Sequence, residues 1–119
     1  MGEEKKVLKI LIIEPMKTPY AAEIDGSLES MQSTVGGLIQ VIYPFDDPEI
    51  ALACNDEGKL MGLPLNRPLT DCNGDIYDII TGTFFLCAAP TDSDSFESLN
   101  EEQIRKYTDY YKSQMVIGI

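Results

Sequence analysis

Between Lys17 and Arg105 the chain carries sixteen Asp and Glu residues but only two basic ones, Lys59 and Arg67. Both lie in residues 55–67, N-D-E-G-K-L-M-G-L-P-L-N-R. An arginine stays charged at any working pH and grips planar anions with a rigid fork of donors. A lysine supplies a mobile point charge, and an asparagine can read an amide or base edge. Lys59, Asn66 and Arg67 are therefore a candidate ligand-binding set for an anionic nucleotide or a carboxylate metabolite. A structural alternative fits the same residues: a turn at Glu57 and Gly58, a loop stiffened by Pro64 and Pro68, and Arg67 paired with Asp71 or Asp75.

Other reactive chemistry is sparse. The chain has no histidine, and acid–base catalysis near neutral pH usually needs histidine or a carboxylate whose pKa burial has raised. No hydrolytic or transfer activity and no cofactor are expected. Glu14, between an apolar run and Pro15, is the carboxylate with two readings: semi-buried with a raised pKa, or a solvated strand end. Cys54, Cys72 and Cys87 are odd in number and lack metal-type spacing, so no disulfide framework or zinc knuckle is indicated. Cys54 and Cys87 lie in apolar runs as core thiols do, and Cys72 sits beside Asp71, whose charge opposes thiolate formation. Asp46, Asp47 and Glu49 lack the regular spacing of a calcium loop and read as an exposed turn.

The net charge of -11 excludes more than it assigns. Binding DNA, RNA or an anionic bilayer needs clustered basic residues, and four of the nine here (Lys5, Lys6, Lys9 and Lys17) sit near the N-terminus. Direct contact with nucleic acid or membrane is therefore not expected. An acidic surface, with Asp46, Asp47, Glu49, Asp92 and Asp94 as its candidate residues, suits a host protein with a basic face, drawn in by long-range steering that salt weakens. Solubility alone would also account for the charge. No apolar run approaches the roughly 20 residues of a membrane span, and no signal-peptide pattern is present. The free cysteines and these absences point to the cytoplasm.

The elements that must position these residues follow from periodicity and punctuation. At 119 residues one domain is expected. After a flexible start at 1–6, V-L-K-I-L-I-I at 7–13 reads as a strand covered on both faces, and 19–24 as a second strand returning in a hairpin. Ser27 can cap a helix in which Leu28, Met31 and Val35 share a face, stopped by Gly36-Gly37. Residues 38–43 and 50–54 read as neighbouring strands, 59–75 as a long irregular loop, 76–80 as ambiguous, and 83–88 as a buried strand. Residues 90–98 read as an acidic linker. A second helix over 99–111 follows, with Asn100 and Gln103 as a capping box and Ile104, Tyr107 and Tyr111 on one face. The apolar tail 115–119 suits a last strand or an interface. The order predicts an α+β domain with a mixed sheet of about five strands and two helices, which a grasp-like layout would satisfy.

Four strings then resemble a known family: V-G-G-x-I at 35–39, Y-P-F-D-D at 43–47, C-N-x-E-G-K-L-x-G-L-P-x-N-R at 54–67, and G-T-F-F at 82–85. Together they resemble domain of unknown function 3846 over about residues 7–110. The resemblance implies a setting among small proteins of phages, integrative elements and gut Firmicutes, where acidic proteins often serve as accessory or counter-defence factors. It implies no activity.

Overall fold

A computed structural model describes residues 7–114; residues 1–6, where a flexible start was expected, and the apolar tail 115–119 lie outside the described residues. The elements run β1 (Val7–Ile13), β2 (Tyr20–Asp25), α1 (Leu28–Val35), β3 (Ile39–Ile42), β4 (Ile50–Asn55), β5 (Leu65–Thr70), β6 (Ile76–Thr81), β7 (Phe84–Ala88) and α2 (Glu101–Lys112). Five strands form one sheet in the order β2-β1-β7-β4-β3, while β5 and β6 form a separate ribbon. The class is α+β.

The apolar runs explain the layering. In β1, side chains alternate between faces: Leu8, Ile10 and Ile12 join Met31 and Val35 of α1, whereas Leu11 and Ile13 join Tyr107 and Tyr111 of α2. Every residue of β4 and β7 is buried, as central strands covered on both sides must be. Each buried Leu, Ile or Phe contributes about 1.5–3 kcal/mol of transfer free energy, so this three-strand stack dominates cohesion. The β5–β6 ribbon closes the α2 face, contributing Leu69 and Ile80.

Local signals set the helix ends. The Ser27 side chain accepts from the Ser30 amide, and Gly36 at φ 82° takes the left-handed stop, its N–H reaching the Gln32 carbonyl at 2.8 Å. In α2 the expected capping box is complete: Asn100 Oδ1 accepts from the Gln103 amide at 2.7 Å, and Gln103 Oε1 from the Asn100 amide at 2.8 Å.

Three features differ from the sequence reading. Among the described residues strand pairing is antiparallel throughout, where a mixed sheet was expected. The reason is topological: α1 carries the chain from edge strand β2 to the opposite edge β3 rather than to a parallel neighbour, and β7 later fills the centre. The predicted irregular loop at 59–75 contains β5, hidden by Pro68 and by its inward-facing polar pair, both atypical of strands. The predicted linker at 90–98 is tied to the sheet. Ala88 and Glu97 exchange backbone hydrogen bonds at 3.0 and 2.8 Å, and the Leu99 amide donates to the Lys9 carbonyl at 2.9 Å.

Candidate functional site

Asn66 and Arg67 lie at the base of the β5–β6 ribbon, and both are 0 % exposed. Asn66 Nδ2 donates to the Ile13 carbonyl at 2.9 Å and the Gly82 carbonyl at 2.8 Å, joining the end of β1 to the β6–β7 turn. The Asn66 Oδ1 accepts from Arg67 Nη1 at 2.8 Å. Arg67 Nη2 donates to the Lys17 carbonyl at 2.7 Å and Nε to the Tyr111 carbonyl at 2.9 Å. Among the described residues no carboxylate pairs with this cation, so neither Asp71 nor Asp75 is its partner. Its compensation comes from carbonyl oxygens, one of them at the negative end of the α2 dipole. Burial pulls the guanidinium pKa down, yet an arginine starts so high that it keeps its proton.

This corrects the predicted ligand set. Asn66 and Arg67 bond each other and the backbone of four chain segments, and both are fully buried, so no fork is aimed at solvent. Lys59 lies elsewhere, on the turn after β4, where its Nζ pairs with Asp78 Oδ1 of β6. That pair, more than half of whose lysine side chain remains accessible, holds the Asp78 carboxyl below its usual pKa. The neighbouring cleft of about 330 Å³ is lined by Lys59 but also by Asp56, Glu57 and Asp78, a poor lining for an anion.

Other parts of the motif are equally structural. A Cβ on Gly58 would stand 2.4 Å from Thr81 Oγ1 and 3.1 Å from its carbonyl, so the turn after β4 can press onto β6 only as glycine. Asn55 Nδ2 donates to the Val35 carbonyl at 3.2 Å, and its Oδ1 accepts from the Glu57 amide at 2.7 Å. Of the two readings of Glu14, the raised pKa fails. Tyr20 Oη donates to its Oε2 at 2.5 Å with Lys17 nearby, which lowers its pKa instead of raising it. Burial pushes the Cys87 thiol up to about 12 and raises that of Cys54, while Cys72 is exposed.

The loops that carry the acidic candidates are linked by one side chain at the other end of the sheet. Glu49 Oε2 accepts from the Thr91 amide at 3.2 Å, joining the β3–β4 loop, with Asp46 and Asp47, to the turn bearing Asp92 and Asp94. Asp46, Glu49, Asp92 and Asp94 are exposed, and Asp47 is half-buried.

Beside this edge runs a trough of about 620 Å³, walled by the β3–β4 loop, the tip of the β5–β6 ribbon and α2. Tyr43, Tyr77 and Tyr110 line it while 55 %, 58 % and 38 % exposed, with buried Tyr107 beneath. Burial raises the Tyr107 phenol pKa, and Asp47 and Asp46 push it further in the same direction. Sequence reading missed these tyrosines because they come from three distant segments. The signal available was four tyrosines next to acidic loops, without hydrophobic periodicity to explain Tyr43, Tyr77 or Tyr110.

Among the described residues no helix is long and apolar enough to cross a membrane. No curated protein and no solved structure matches the chain. The family model described as domain of unknown function (DUF3846) matches residues 8–112. The strings that carried the resemblance map onto the Asn55, Gly58, Asn66 and Arg67 contacts and the β3–β4 loop, and the chain belongs to the DUF3846 family.

Proposed function

We propose that this protein is a small acidic, non-enzymatic accessory factor of a phage or mobile element, acting in the cytoplasm by occupying a basic groove of a host protein such as a nuclease or defence factor. The observation that carries the reading is the junction at Glu49 and Thr91, which merges two acidic loops into one exposed edge on a chain of net charge -11. Such an edge speeds encounter with a basic surface and disfavours nucleic acid and anionic lipid. The carboxylates of that edge serve recognition and perform no chemistry.

Affinity capture from host lysate tests this. At low salt the parent protein recovers a partner with a basic surface, and the partner is lost at high salt and with a variant carrying Asp46→Asn, Asp47→Asn, Glu49→Gln, Asp92→Asn and Asp94→Asn. Recovery of no partner at low salt, or equal recovery by the neutralised variant, defeats the reading.

A further inference from the structure

We propose that the tyrosine-lined trough is the seat of that partner and takes the guanidinium or ammonium side chains of an extended basic protein segment. The inference rests on the acidic-surface reading and adds a place and a recognition chemistry to it. Aromatic faces attract cations through their quadrupole, best within about 6 Å of the ring centroid. The trough already displays this chemistry: the chain's own Lys106 Nζ stands 5.3 Å from the centroid of Tyr107. Three carboxylates, Asp46, Asp47 and Asp71, share the lining with that single lysine, so the lining as a whole carries excess negative charge.

Shape favours an extended chain over a free amine. The trough of about 620 Å³ and the cleft of about 330 Å³ are neighbours, sharing Tyr43, Pro44 and Tyr77 as lining, so successive side chains of an extended segment could reach both. At the cleft side Leu60 is 87 % exposed, an apolar shoulder for the stem of a long basic side chain. Two rings open to solvent, Tyr77 on β6 and Tyr110 on α2, offer faces beyond the one that Lys106 covers.

The test is a heteronuclear NMR titration of the full chain at low salt with a synthetic peptide, acetyl-Gly-Arg-Gly-Arg-Gly-Arg-amide, and separately with spermidine. The peptide shifts the amides of Asp46, Asp71, Tyr77, Lys106 and Tyr110. Tyr77→Ala weakens its binding about three-fold, a typical exposed cation–π contribution, and Lys106→Met strengthens it about three-fold by vacating a ring and removing a like charge. The same spectra report whether each variant is folded. Peptide shifts confined to 91–95 overturn the trough while leaving the acidic-surface reading intact; no shift anywhere defeats both. Spermidine binding as tightly as the peptide at the same residues overturns the assignment to a protein segment.

Discussion

The base and the tip of the β5–β6 ribbon both carry polar side chains and do opposite things. At the base, where Leu65 registers with Thr81, Asn66 and Arg67 turn inward, bond each other and donate to backbone carbonyls of β1, its following loop, the β6–β7 turn and α2. At the tip, where Thr70 registers with Ile76, Asp71, Cys72 and Tyr77 face the trough. A polar residue held by several buried partners serves the fold. At the tip the bonds of Asp71 stay within its own turn, to the Asn73 and Asp75 amides, and the carboxylate stands exposed beside open rings where it can serve recognition.

Breaking the base should have the largest effect. Arg67→Met removes donors from three buried or half-buried oxygens, each costing about 1–3 kcal/mol when left unpaired, and should destabilise the protein by about 3 kcal/mol or more in urea titration. A loss below about 1 kcal/mol would mean that the base is not a lock. Gly58→Ala forces Cβ into Thr81 and should cost about 2 kcal/mol by the same assay. At the tip, Tyr77→Ala should leave stability within about 0.5 kcal/mol while weakening the basic peptide several-fold, which separates the two ends by opposite phenotypes.

Two smaller effects sharpen the picture. The folded pKa of Glu14 is depressed, so its contribution is present above the ordinary carboxylate range and is lost as pH falls through the folded value. The stability gap between parent and Glu14→Gln should therefore be widest near neutral pH and close in acid; a gap that widened in acid would reverse the assigned shift. A maleimide should label one thiol per folded chain, Cys72, because Cys54 and Cys87 are buried and their thiols are held protonated. Labelling of two or more under native conditions would contradict that packing.

The sequence made much of this legible. V-L-K-I-L-I-I announced a strand buried on both sides, and Ser27, Gly36, Asn100 and Gln103 marked helix ends that the structure reproduces, because capping and periodicity are local physics. β5 stayed hidden because its stability comes from partners distant in sequence, Ile13, Lys17, Gly82 and Tyr111, while Pro68 and the Asn66–Arg67 pair contradict strand propensity locally. The same nonlocality misdirected the site. Arg67 stands out by charge, so it reads as a ligand clamp until the carbonyls around it are seen. Tyr43, Tyr77 and Tyr110 look unremarkable until the β3–β4 loop, β6 and α2 bring them to one trough.

The side-chain Nε–H of Arg67 reports the central claim most directly, by its hydrogen exchange in a ¹H–¹⁵N spectrum near neutral pH with and without ATP or citrate. Bound to the Tyr111 carbonyl at 2.9 Å and buried, it should give a sharp, slowly exchanging signal that neither anion moves, while exposed Arg105 exchanges rapidly. An Arg67 signal that exchanges as fast as that of Arg105, or that shifts when the anions are added, would make Arg67 a ligand-binding residue and contradict its role as the lock of the fold.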